Sequence, residues 1–219
     1  EITSRVKHDV GDIWLDIACN DGTMFKSIPH TYAKFGIDPA DESYTNEAGL
    51  YAYVVQDFFN KDTFFKMSEG VKARVITCIA MFYDVEDPHA FLRDVRECLH
   101  DDGTFVLQMS YTPLMVKQLA FDNICHEHVY YYALTDIKKL MEMNGFRVVD
   151  CSLNDTNGGS FRVHVQKDTA PTSTYGTKPI RDVAEVRVNS ILEWETHNYF
   201  PERGSYWDDF KDNMEDLKT

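Results

Sequence analysis

Short apolar runs separated by polar, helix-spaced stretches dominate the first two thirds of the chain. Ile13 to Ile17 reads as a buried strand, followed by a tight turn of small and polar residues, Ala18 to Gly22, and a short helix over Thr23 to Ile28. Tyr32 to Ile37 predicts a second strand that ends at Asp38 and Pro39, and Tyr51 to Val55 a third. Val75 to Phe82 is almost continuously apolar, the mark of a parallel strand covered on both faces, and is expected at the centre of the sheet. Asp87 to Leu99 has helical spacing with Pro88 in its first turn, and His100 to Gly103 predicts a turn into a strand over Thr104 to Met109. This alternation predicts an α/β fold built on a doubly wound, mostly parallel sheet.

Past Met109 the pattern changes. Tyr111 to Leu134 concentrates aromatic and titratable side chains around Cys125-His126-Glu127-His128, more than a simple connector needs. Thr135 to Asn144 then predicts a helix closed by Gly145, Phe146 to Leu153 a strand, and Asn157-Gly158-Gly159 a turn into the alternating strand Ser160 to Val165. Those two strands are near enough in sequence to pair antiparallel. Residues 1–168 are therefore expected to form the core. Residues 169–180, rich in Thr, Pro, Ser and Gly, read as a linker, and 181–219 as a helical segment opening a further domain, with helices over Arg181 to Tyr199 and Tyr206 to Leu217.

Composition removes several classes. A formal net charge of -14 disfavours nucleic acid and anionic membranes, which need clustered Lys and Arg to neutralise phosphates. The five cysteines are scattered and contain no CxxC pair, so neither a disulfide framework nor a zinc ribbon is suggested, and no metal site is expected. No apolar run approaches membrane-spanning length and no signal peptide opens the chain, so the expected location is cytoplasmic. The chain starts at Glu1 rather than Met, so it is expected to be a piece of a longer protein with flanking domains missing.

The first turn carries the chemistry. A dinucleotide fingerprint spaces glycines so that backbone N–H groups approach a pyrophosphate, whereas this turn keeps Gly22, puts Ala18 at the first glycine position and adds Asp16 and Asp21. Two carboxylates repel a pyrophosphate but suit a ligand with an ammonium beside a sulfonium, which describes S-adenosylmethionine. The plainer alternative is that Asn20 or Asp21 merely caps the helix. Asp38 lies about twenty residues on, the separation at which an acid reaches ribose hydroxyls. Asp57 and Phe58 offer an acceptor and a ring for an adenine, or equally a helix cap and a core aromatic.

On an extended segment His126 and His128 share one side and Glu127 faces the other. Imidazole is the side chain whose ordinary pKa suits general-base work near neutrality, and His128 is the expected base, with Glu127 orienting or polarising it. Two ordinary hydrogen-bonded histidines are the plain alternative. Tyr83, Tyr111 and Tyr130 to Tyr132 could wall an acceptor pocket, and Arg162 and Lys117 could meet a substrate phosphate, although aromatics are more often core and surface cations more often meet only water.

Three stretches together resemble a known family: Leu15 to Thr23, Phe121 to Tyr132 with its Cys125-His126-Glu127-His128, and Asn157 to Arg162. Over roughly residues 10–170 the chain resembles the class I, Rossmann-like S-adenosylmethionine-dependent methyltransferases, and among them the C-methyltransferases that act on nucleotide-linked keto-sugars. The resemblance implies that Asp16, Ala18, Asn20 and Gly22 border the methionine part of the donor, Asp38 its ribose, and Asp57 with Phe58 its adenine. Ala80 and Met81 would then face the sulfonium, and Glu127 and His128 would be the family's Glu-His pair, His128 removing a proton to form an enolate. Cys125, His126, Tyr83, Tyr111, Tyr130 and Arg162 are placed on the substrate side. Members carry a cysteine-rich zinc-binding piece before the core and a further domain after it, and some have tyrosine at the Cys125 position and a histidine near Met81. An O-methyltransferase, a non-catalytic donor-binding module and a nicotinamide-dependent enzyme stand as alternatives.

Overall fold

In the computed structural model, which describes residues 2–216, seven strands form a single sheet. They are β1 (Ile13–Ile17), β2 (Ala33–Ile37), β3 (Tyr53–Val55), β4 (Ala73–Ile79), β5 (Leu99–Ser110), β6 (Phe146–Asn154) and β7 (Ser160–Lys167), in the spatial order β3-β2-β1-β4-β5-β7-β6. All neighbours pair parallel except those of β7, which runs antiparallel between β5 and β6. The chain turns outward from β1 in both directions, so β1 and β4 flank the switch point where open α/β sheets bind ligands. The sheet is the expected one.

Helices α1 (Glu42–Ala48), α2 (Lys61–Met67), α3 (Pro88–Cys98), α4 (Thr112–Lys117) and α5 (Leu134–Met143) fill the connections. Asp41, Asn60 and Asp87 accept the first free backbone N–H groups of α1, α2 and α3. The expected helix after β1 is a single 3₁₀ stretch, Thr23–Ser27. The expected turn at His100 to Gly103 is instead a bulge within β5. Leu99 pairs with Ala73 and Thr104 with Val75, so the four residues between them stand opposite Arg74 alone. Only glycine fits at 103, because a Cβ there would lie 2.9 Å from the Arg74 carbonyl oxygen. The main core lies on one face of the sheet, where Leu15, Ile76, Phe105 and Val163 meet Leu92 and Val95 of α3 and Ile137 and Met141 of α5.

The last third of the chain departs from expectation. The stretch read as a linker is tied down: Ala170 and Tyr175 are buried, and Tyr175 bridges to Val6 and donates to Asp150. Asp150 also takes Arg5 and a bidentate Arg187, so one buried carboxylate gathers the amino-terminal segment, β6, residue 175 and the helix α6 (Lys178–Trp194). From α6, Val188, Ile191 and Leu192 pack on the main core. A wide π-helical turn, Glu195–Tyr199, joins α6 to α7 (Phe200–Asp216), and the expected end at Leu217 lies outside the described residues. That turn buries Glu195 completely. Its carboxylate accepts from the Tyr111 hydroxyl at 2.6 Å and, at the start of α5, from the Leu134 and Thr135 N–H groups at 2.7 and 2.8 Å and the Thr135 hydroxyl at 2.5 Å.

Removing that carboxylate strands four donors, two of them buried. Glu195→Ala is expected to lower unfolding free energy by about 3–5 kcal/mol, as breaking a buried charged network does, and Glu195→Gln, which keeps one acceptor oxygen, by less. Urea denaturation checks this as a drop in midpoint at unchanged slope. A midpoint within error of the parent would mean the network contributes nothing.

Candidate active site

A cleft of about 580 Å³ opens where β1, β2 and β4 end. Ala18, Asp38, Phe58, Met81, Asp84 and Phe91 line it, drawn from the turns after those strands, the end of β3 and the first part of α3. A volume of that order suits a cofactor-sized ligand.

Backbone geometry shapes its floor. Ala18 has φ 60°, Asn20 φ 47° and Gly22 φ 72°, so the first turn alternates through the left-handed region, and Ala80 at the end of β4 has φ 56°. Ala18 thus adopts without glycine the conformation that a glycine would supply, at some cost in strain. Gly22 has a different reason: a Cβ there would sit 2.7 Å from the Ala48 backbone, so the glycine lets the turn lie on α1. The turn is then bolted to the next strand. Asp38, nearly buried, accepts from the Asn20 N–H at 2.7 Å through one oxygen and from the Ala40 N–H at 2.7 Å through the other. Each oxygen keeps a lone pair, so a ribose hydroxyl can still be held.

The two carboxylates of the first turn part company. Asp21 folds back on Thr23, accepting from its N–H and hydroxyl, and this holds its pKa below the usual range. Asp16 lies behind the cleft wall, fully buried, accepting from the Thr77 hydroxyl at 2.6 Å, which itself accepts from the Trp14 indole N–H. Burial pushes its carboxyl up to about 7, with the Asp38 charge adding to the rise. The carboxylates that stand close together here are therefore Asp16 and Asp38, while Asp21 is held by Thr23. Around the cleft stand Asp38, Asp84, Glu86 and Asp94, with no basic side chain in its lining. That electrostatic character fits a cation and opposes a pyrophosphate.

Other expected residues divide. Met81 and Phe58 line the cleft, Phe58 strongly exposed, while Asp57 turns away and accepts from the Phe58 N–H and the Thr63 hydroxyl. Ala80 donates its N–H to the Gln108 carbonyl beside the cleft. His128 is half-buried, its ring 4.0 Å from that of Tyr83, and the N–H groups of Val129 and Tyr130 both donate to the Tyr83 carbonyl. This brings His128 and Tyr83 to the end of β4. Tyr130 stacks on Tyr132 and donates weakly to the carbonyl of Glu86 at the cleft rim. Cys125 is half-buried, and His126 and Glu127 are exposed.

Two substrate-side expectations are corrected. Tyr111 is a core residue, 1% exposed, with its hydroxyl committed to Glu195, so it walls no pocket. Arg162 projects from the opposite face of the sheet into a separate crevice with Trp14, Met24 and Ile79, donating to Gln108 at 2.9 Å. Alternation along β7 decides this: Phe161 and Val163 face the core, so Arg162 cannot. Lys117 is exposed at the last turn of α4.

Sequence reasoning missed Asp84, Glu86 and Phe91. The signal was present, since residues just past the central strand and at the start of the next helix flank the switch point. Among the described residues, no group of three His, Cys, Asp or Glu is arranged to hold a metal, all five cysteines are free, and no helix is long and apolar enough to cross a membrane.

Known proteins share this fold. The family described as a methyltransferase domain matches residues 2–150. C-methyltransferase NovU of Streptomyces niveus is 36% identical over 91 residues, which are 42% of this chain and 22% of that protein. The chain thus matches about a fifth of the length of that relative. Magnesium protoporphyrin IX methyltransferase of Synechocystis PCC 6803, solved with bound SAH, superposes with TM-score 0.55 at 15% identity over 72% of this chain and 74% of that one. N-methyltransferase NodS of Bradyrhizobium japonicum gives 0.54 at 13% over 73% and 87%. At these identities the two structures speak to the fold alone.

Asp16 generates a pH prediction. A carboxyl with a folded-state pKa near 7 costs stability once the unfolded chain ionises, so the cost is absent below about pH 4 and complete above about pH 7. Asp16→Asn, which keeps an acceptor for Thr77, should raise the melting temperature of the ligand-free protein by several degrees at pH 8, at roughly 2–4 °C per kcal/mol in a chain this size, and leave it nearly unchanged at pH 4. A lower melting temperature at pH 8 would contradict the assignment.

Proposed function

Because the chain belongs to the methyltransferase family, we propose that it transfers a methyl group from S-adenosylmethionine to a carbon of a nucleotide-linked keto-sugar. The observation that carries this reading is the imidazole of His128, held against Tyr83 at the end of β4 beside an acidic, cation-suited cleft. The partial likeness to a C-methyltransferase supports the choice of carbon over oxygen.

The donor, when bound, supplies an electrophilic methyl on a sulfonium. Ala18, Asp38, Phe58 and Met81 are the residues to hold it, with Asp38 on the ribose and Phe58 against the adenine. What remains for the protein is to prepare the acceptor. A carbon next to a carbonyl becomes nucleophilic only on losing a proton, and His128 takes that proton onto a ring nitrogen as the enolate forms. Tyr83 fixes the plane of the imidazole and Tyr130 helps wall the acceptor pocket. The lining of the donor cleft has no basic side chain, so the phosphates of the substrate lie beyond it. The working location in this reading is the cytoplasm.

Proton abstraction separates from transfer. In D₂O without donor, a keto-sugar nucleotide should exchange hydrogen at the carbon next to its carbonyl, and His128→Gln should slow this by about 10²–10⁴. Mass spectrometry of the recovered sugar reads the exchange. Methylation at undiminished rate by His128→Gln would overturn the base and favour an oxygen acceptor.

A further inference from the structure

We propose that Asp84 is the carboxylate that orients the His128 imidazole, the role that sequence position gives to Glu127. The inference rests on the reading of His128 as a base and adds a positioning residue to it. Asp84 ends the short 3₁₀ turn Phe82–Asp84 after β4 and lines the donor cleft. One of its carboxylate oxygens, Oδ1, is closed off from solvent and has no hydrogen-bond partner among the described residues. An oxygen so shielded is a place kept for a donor, because burial without one is unfavourable.

The donor at hand is His128. Its ring packs at a tilt against that of Tyr83, the residue before Asp84, and two backbone hydrogen bonds to the Tyr83 carbonyl pin the next two residues of its segment. Burial raises the Asp84 carboxyl, the His128 charge opposes that rise and the Glu127 charge adds to it, so Asp84 and the histidine are electrostatic neighbours. The Tyr132 hydroxyl is also buried without a partner, but the charges acting on it are those of Tyr130 and Asp136. Glu127 is exposed, where water competes for its carboxylate. A base works efficiently when a third group decides which ring nitrogen carries the proton, and of the two carboxylates near His128 only Asp84 combines shielding with an unused acceptor.

The tautomer of His128 tests this without any substrate. In the full chain labelled with ¹⁵N-histidine, with the resonance assigned by its loss in His128→Gln, spectra recorded on the alkaline plateau, where its shifts no longer change with pH, read the neutral ring. One tautomer should dominate by about tenfold, a bias that a hydrogen bond to a charged acceptor suffices to supply. Asp84→Asn should bring the two forms near equality, because an amide can donate as well as accept, while Asp84→Glu and Glu127→Gln keep the bias. A single tautomer persisting in Asp84→Asn, or scrambling in Glu127→Gln, overturns the proposal. Should Asp84→Asn fail to fold, the parent protein still decides: a His128 ring N–H exchanging with solvent more slowly than that of His126 supports the contact, and equal rates overturn it. Because neither readout involves turnover, a scrambled tautomer in Asp84→Asn with carbon exchange intact in His128→Gln would sustain Asp84 and sink the base. The converse pair would do the reverse.

Discussion

Two backbone N–H groups on one carboxylate hold the acidic cleft in shape. Asp38 sits at the end of β2, yet its oxygens accept from Asn20 in the turn after β1 and from Ala40 in the turn after β2. Without that double acceptor, a turn that passes through the left-handed region at Ala18 and Asn20 has little reason to stay there. The same residue contributes charge. With Asp16 behind it and Asp84, Glu86 and Asp94 around the opening, the cleft prefers a cation, and this separates a methyl donor from a dinucleotide more sharply than the glycine count does.

The segment that carries His128 is built by a different means. Residues 121–132 contain little regular structure, and they are anchored by backbone hydrogen bonds to Tyr83 and by aromatic contacts. His128 packs edge to face with Tyr131, and Tyr131 in turn with Trp207 of α7. From the same helix Phe210 joins Met115 and Val116 in a small cluster of its own. The last two helices therefore reach the segment that carries His128. They are seated by Glu195 on α5 and by Arg187 on Asp150, so the carboxy-terminal third is structurally continuous with the sheet.

Much of this was legible in the residues. The sheet strands announced themselves because buried parallel strands read as apolar runs, and the antiparallel end followed from the Gly-Gly turn and the alternation in Ser160 to Val165. The helices α1 and α2 left little trace, since seven residues give barely two turns of periodicity and much of their definition comes from the caps at Asp41 and Asn60. Where a side chain points was harder still. Tyr111 and Arg162 carry suitable chemistry, but a buried partner 84 residues away claims one, and strand parity sends the other to the opposite face. Asp21 and Asp57 were diverted by neighbours two and six residues on, Thr23 and Thr63. Tertiary partners of this kind are invisible in a linear pattern, and so were the residues of the 169–180 stretch that Asp150 and the core draw inward.

The account stands or falls on the identity of the molecule that the acidic cleft accepts. Thermal denaturation of the protein with S-adenosylmethionine, S-adenosylhomocysteine or NAD, each over a range of concentrations, tests it most directly, because a ligand that binds only the folded state stabilises by RT ln(1 + [L]/Kd). Both adenosyl compounds should raise the melting temperature progressively while NAD leaves it in place. Protection by NAD with none from the adenosyl pair would contradict the account.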